Sequence, residues 1–240
     1  MHGTVTRAIV ATFLSISSLP SFAQSSDTPG DADTGDDLDV SASVTLISDY
    51  RFRGVSLSDR DFAVQGDLGL AYKGFHVGAW SSSIADLAGT KTSTSTVEVD
   101  YVAGYAFDAG GLALDAGVTL YTYPGSDGTS YWEPYVSAAT VIGKSDIALL
   151  IAYVPSQQNS GDADNIYIAL DGSLPLGDSG LSLDGHIGSE DGAFAARKWD
   201  WQAGLSVSFH GLDIGLAYID TNRSGRLTKG ALLISIGKSF

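Results

Sequence analysis

Three groups of residues stand out as candidates for binding or catalysis. Asp49, Arg51 and Arg53 alternate along the chain, and alternation on an extended backbone puts side chains on one face. An arginine pair at a pore mouth binds anions or pairs with acids to shape a constriction; the plainer reading is a local salt bridge that holds a loop. The second group is a set of carboxylates placed between apolar residues: Asp67, Glu98, Asp100, Asp115, Glu133, Asp171, Asp184, Asp200 and Asp213, with Lys198 among them. Acids lining a pore draw in counter-ions; the alternative is a plugged, hydrogen-bonded interior. The third group is Ser208 and His210, the types of a nucleophile and its base. They sit at a short turn on the polar face, where a turn histidine is the plainer reading. His76, His186 and His210 are too scattered to suggest a metal site, and there is no Gly-rich phosphate loop. The expectation is therefore no catalytic residue, no metal and no cofactor.

The elements that must position these groups are strands. From Leu38 to Phe240 the apolar residues recur at every second position. The pattern divides into twelve strands, about 38–49, 61–72, 74–83, 94–107, 112–123, 131–142, 145–154, 164–174, 180–189, 198–209, 211–220 and 228–240. Asp49, Arg51 and Arg53 continue the parity of Ser43 and Thr45 at the end of the first. The connections alternate in length. Short ones lie around Lys73-Gly74, Asp108–Gly111, Gly143–Ser145, Pro175–Ser179 and His210-Gly211. Long ones are Tyr50–Arg60, Ile84–Ser93, Pro124–Ser130, Pro155–Ala163, Glu190–Arg197 and Thr221–Leu227.

This alternation is the habit of an up-and-down transmembrane β-barrel with short periplasmic turns and longer outside loops. An even strand count returns both ends of the barrel to one side. Aromatics gather at both ends of the apolar face: Tyr72, Phe75, Tyr105, Phe107, Phe209 and Phe240 near the short turns, and Trp132, Tyr153, Trp199, Trp201 and Tyr218 near the long loops. Two aromatic girdles suit two membrane interfaces. A soluble β-sandwich shares the period of two, but it would also contain fully apolar central strands. Only the strand at 145–154, with Ala148 and Leu150 on its second face, comes near that. Twelve strands fall between a filled eight-stranded barrel and an open sixteen-stranded porin, so a narrow channel and a closed interior both remain open.

The flanking segments fit export. Arg7, the apolar run Ala8–Leu19 and Ser21-Phe22-Ala23 have the form of a secretory signal cleaved after Ala23. Residues 24–37 are polar and Asp-rich, with no hydrophobic period, and are expected to be a disordered periplasmic leader. Asp31, Asp33, Asp36 and Asp37 lack the ligand spacing of an EF-hand loop. The chain has 13 Lys+Arg against 28 Asp+Glu, a net charge of −15, and no Cys. Such acidity opposes nucleic-acid binding, and disulfides and thiolate chemistry are excluded. Leu232–Phe240 alternates and ends on Phe, as terminal strands recognised by the barrel-assembly machinery do.

Thr45–Ser56, running into Phe62–Gly66, resembles the opening of the TorF-type family, proteobacterial outer-membrane proteins assigned as porins. The resemblance spans about residues 38–240, is sharp at Ser48–Ser56, and elsewhere rests on Tyr131-Trp132-Glu133 and Phe240. It implies a barrel and a presumed channel, and supplies neither a substrate nor catalytic residues. The sequence thus leads to an outer-membrane channel for small hydrophilic solutes. Arg51, Arg53 and the carboxylates from Asp67 to Asp200 would line it, with a preference for cations. A structural or surface-interaction barrel without an open pore is the alternative, and a lipid-acting enzyme a distant one. The expected partners are outer-membrane lipid, the assembly machinery through Phe240, and the solutes themselves. Protease sites inserted in Pro155–Ala163 or Glu190–Arg197 should be cut on intact cells, and sites at Lys73-Gly74 or Gly143-Lys144 should not. The reverse pattern would invert the topology.

Overall fold

The computed structural model describes residues 38–85 and 95–240. The expected signal at 1–23, the leader at 24–37 and most of the Ile84–Ser93 loop lie outside the described residues. The strands are β1 (Asp39–Ile47), β2 (Arg51–Phe52), β3 (Val55–Ser56), β4 (Ala63–Tyr72), β5 (Phe75–Ser83), β6 (Val97–Asp108), β7 (Ala113–Thr122), β8 (Tyr131–Ile142), β9 (Ser145–Val154), β10 (Asn165–Pro175), β11 (Leu181–Gly192), β12 (Lys198–Phe209), β13 (Leu212–Thr221) and β14 (Ala231–Ser239). β2 and β3 pair only with each other; the other twelve form one closed antiparallel barrel, each beside its neighbour in sequence.

Closure falls to β1. It pairs with β4 along one edge, from Asp39↔Ala71 to Ile47↔Ala63, and with β14 along the other, from Ser43↔Ser239 to Ile47↔Ser235. Phe240 extends that seam, its amide donating to the Ala42 carbonyl at 2.9 Å. A closed barrel leaves no row of unpaired backbone groups, a requirement for any sheet that crosses hydrocarbon.

The period of two sorts side chains as expected. On β13, Leu212, Ile214, Leu216 and Tyr218 are exposed while Gly215, Ala217 and Ile219 are buried. Both sets of girdle aromatics face outward. Near the short turns they touch one another, with the Phe75 and Tyr105 rings 4.7 Å apart. The buried residues lie inside the barrel. One apolar cluster, built on Ile47, Tyr50, Tyr121, Tyr123, Tyr131 and Val154, fills the half nearest the long loops. Leu150, Ala152 and Tyr167 belong to a second cluster beside it. The weakly polar second face of β9 is therefore part of the packed interior.

Two differences from the sequence reading bear on the site. β11 runs to Gly192, so Glu190 belongs to the wall and not to a loop. β1 stops at Ile47, so Asp49, Arg51 and Arg53 are not the end of a strand. They belong to the following connection, which bends into the barrel. Leu216 sits mid-strand and is 47% exposed on the outer face. A lipid-facing Arg near the bilayer midplane costs about 2–4 kcal/mol, so Leu216→Arg should lower the yield of folded, heat-modifiable barrel. Unchanged yield and gel shift would show that this face does not meet lipid.

Candidate functional site

The site begins with the connection between β1 and β4. Asp49 organises its first turn: its carboxylate accepts from Arg51 Nε at 2.8 Å, Ser56 Oγ at 2.6 Å and Ser58 Oγ at 3.3 Å. The two-residue strands β2 and β3 are joined by Arg53 (φ 49°) and Gly54 (φ 81°), and two consecutive positive φ values give the tight turn suited to a β-ribbon. Gly54 has a second reason to be glycine. A Cβ there would overlap Thr221 and come within 2.9 Å of the Asp200 Cβ, because the ribbon tip presses against the wall at β12 and β13.

Arg53 crosses the lumen from that tip. Its Nη2 lies 2.7 Å from both Glu133 oxygens on β8, and its Nη1 3.0 Å from Glu190 Oε1 on β11. Lys198 on β12 donates to the Arg53 carbonyl at 2.6 Å and pairs with Glu190 at 2.6 Å. The guanidinium lies 4.1 Å from the Tyr167 ring centroid, a cation–π contact. Burial opposes the arginine's charge, but Glu133 and then Glu190 outweigh it and hold its pKa above the ordinary arginine range. Arg51 is fully buried beside Asp49. Among the described residues, the half of the lumen nearest the long loops thus holds this ribbon packed against the wall.

The other sequence-predicted residues also point inward, but most already have partners. Glu98 accepts from Tyr50 and Tyr123, each at 2.9 Å, and Glu133 from Tyr121 at 2.9 Å. Asp200 accepts from Tyr167 at 3.0 Å and lies 3.0 Å from His186, whose other ring nitrogen is 2.7 Å from Asp171. Asp115 is held by His76 at 3.0 Å and Tyr135 at 3.1 Å, Asp184 by Ser173 at 2.8 Å, and Asp67 by Ser43 at 3.1 Å. Asp100 has no hydrogen-bond partner for its buried Oδ1 among the described residues. Sequence alone does not single out the tyrosines or Glu190, and it weighs His76 and His186 only as metal ligands, although strand parity turns Tyr121, Tyr135, Tyr167, His76 and His186 inward. Ser208 donates to Asp213 at 2.6 Å, and the His210 ring packs on Phe209, so these two do not form a nucleophile–base pair.

Room for the rings comes from glycines on neighbouring strands. A Cβ on Gly188 would overlap the Tyr167 hydroxyl, and one on Gly117 would come within 2.7 Å of the Tyr135 hydroxyl. The rings therefore lie along the wall instead of across the lumen. Below Phe52, on the side of the short turns, a cavity of about 90 Å³ remains, bordered by Asp67, Asp100, Thr119, Trp80, Tyr135 and Leu150.

The sequence from 31 to 237 matches the model of a family described as bacterial proteins of unknown function, Gcw_chp. The chain belongs to the Gcw_chp family. No curated protein matches its sequence. Among solved structures, this Gcw_chp barrel is similar to the KdgM porin at a TM-score of 0.57 and 9% identity, covering 83% of this chain and 98% of that one. A KdgM porin in complex with disordered oligogalacturonate aligns at 0.55 and 9%, covering 84% and 97%. The NanC porin aligns at 0.55 and 11%, covering 84% and 99%. At such identities the likeness establishes the fold, that of a porin barrel, and the lumen has to be read from this chain's own residues.

Removing one partner of a buried ion pair costs about 3–5 kcal/mol because the other charge is stranded; an exposed pair is worth under about 1 kcal/mol. Arg53→Gln should therefore lower the unfolding temperature of the detergent-folded barrel clearly. Arg226→Gln, which breaks the exposed pair with Asp59, should leave it nearly unchanged. Equal effects would deny the Arg53 cluster its anchoring role.

Proposed function

We propose that the protein is an outer-membrane channel for small hydrophilic solutes, closed in this state by its own first loop. The observation that carries the reading is what fills the lumen. The barrier near the long loops is a ribbon tethered through Arg53 to Glu133 and Glu190, and a tether of ion pairs can be released without unfolding the wall. Toward the short turns the wall keeps a cavity bordered by Asp67 and Asp100. The fold shared with porins, the TorF-type resemblance at Ser48–Ser56 and the outward apolar belt support the same location and role. Lipid on that belt and assembly machinery at Phe240 would be its partners.

The passage would prefer cations. Arg53 and Lys198 are already matched by Glu133 and Glu190, whereas Asp67, Asp100, Asp115, Asp171 and Asp184 lie on the inner face with, among the described residues, His76 and His186 as the basic groups bonded to them. A carboxylate wall between low-dielectric walls raises the local cation concentration. An acidic solute such as the oligogalacturonate of the KdgM complex would be repelled here. The second reading, a structural barrel without a pore, is favoured by the complete burial of Arg51, Glu133 and Asp200.

Planar-bilayer recording separates the two. Wild type should give small, cation-preferring steps whose selectivity weakens in 1 M salt, where the Debye length is about 3 Å. Arg53→Gln should spend more time open, and Asp100→Asn with Asp115→Asn should lose selectivity. Silence from folded wild type and folded Arg53→Gln alike would establish the structural reading. An anion preference would mean that the arginines control the constriction.

A further inference from the structure

We propose that the cavity below Phe52 is a binding site for a small organic cation, a primary ammonium on a short apolar body. It rests on the channel reading only for its biological meaning, since binding and conduction are measured separately. The polar atoms at the cavity that lack partners among the described residues include Asp100 Oδ1, Asp67 Oδ2 and Thr119 Oγ1. Thr119 is only 5% exposed, so its hydroxyl is enclosed and borders this space. Buried polar groups without partners are costly, so these atoms mark where a ligand's polar end belongs.

Their chemistry selects the ligand. Two are carboxylate oxygens, which accept when ionised, and the third is a hydroxyl that can accept as well. A group with several N–H donors and a positive charge meets all three, and an anion meets none well. Asp115, already bonded to His76 and Tyr135, adds a further acidic group to the border. A bare metal ion fits poorly: no group of three or more His, Cys, Asp or Glu among the described residues could hold one. The rest of the border is apolar or aromatic, with Trp80, Phe52 and Leu150. An indole face favours an organic cation over a strongly hydrated one. An apolar cavity of roughly 150 Å³ admits benzene, so about 90 Å³ suits a ligand of roughly three or four heavy atoms. A ligand that small reaches about millimolar dissociation constants at best, as suits a solute that must also leave.

The test is a tryptophan-fluorescence titration of the folded, full-length barrel with ethylammonium chloride at constant ionic strength. Trp80 borders the cavity, whereas Trp132, Trp199 and Trp201 face outward. Wild type should show a saturable change in the millimolar range, and Trp80→Phe should lose it. Asp100→Asn should weaken binding about tenfold, as loss of one charge-assisted contact does. Thr119→Val should weaken it by a smaller factor. Asp178→Asn, in an exposed turn, should not change it. Sodium chloride, ethanol and acetate should give no saturation over the same range. If Asp100→Asn fails to fold, Asp67→Asn takes its place with the same expectation. The proposal is overturned if wild type does not saturate with ethylammonium, if sodium does as well, or if Asp178→Asn weakens binding as much as Asp100→Asn. A barrel that conducts but does not bind would refute this site and leave the channel; one that binds but does not conduct would do the opposite.

Discussion

Charge buried in a closed lumen has to be matched there, and the arrangement around Arg53 follows from that requirement. Glu133 and Glu190 enter the barrel from different strands and are almost wholly buried. Without the guanidinium between them, carboxylates would be left with uncompensated desolvation. The first connection supplies the cation only by folding inward, and this asks for the rest of its construction: the Asp49 hydrogen bonds that shape the turn, the positive φ at Arg53 and Gly54, and the absence of a side chain where Gly54 meets the wall. Lys198 completes the set by holding both Glu190 and the Arg53 carbonyl.

The same requirement accounts for the tyrosines. Glu98, Glu133, Asp115 and Asp200 each accept from at least one phenol. A phenol satisfies a carboxylate without adding charge, and its ring fills space that a short hydroxyl would leave empty. Glycines at 117 and 188 let such rings lie against the neighbouring strands. Where loop, rings and acids meet, the charges are paired, although Arg53 Nε and Asp200 Oδ2 have no hydrogen-bond partner among the described residues. Beneath Phe52 no cation from the described residues faces Asp100, and Asp100 and Thr119 keep buried oxygens without partners among the described residues.

The porin barrels with which this chain shares its architecture have about one residue in ten in common with it. This is physically reasonable. A closed antiparallel barrel needs apolar residues at every second position outside and turns of alternating length, conditions that very different sequences satisfy. Nothing in those conditions specifies the residues turned inward. Fold and function are separable for that reason, and it is the identity of Arg53, Glu133, Asp100 and their neighbours that distinguishes this lumen.

Strand number, inward or outward direction, turn alternation and both aromatic girdles were readable in the sequence, because parity along a strand is local: Leu216 and Ala217 point opposite ways whatever lies across the barrel. Parity also turned Glu98, Asp100, Glu133 and Asp200 inward. It brought Arg51 and Arg53 to the right side by the wrong route, since they belong to an inserted ribbon and not to the end of β1. Partnership, by contrast, was set by the folded barrel. Arg53 meets Glu190 across 137 residues of chain, and no spacing or composition encodes which carboxylate a loop will reach. That depends on where the loop enters and how the closed wall brings distant strands face to face. Whether an inward acid is paired or left with a free oxygen is set by this closure, and so it appears only once the barrel is formed.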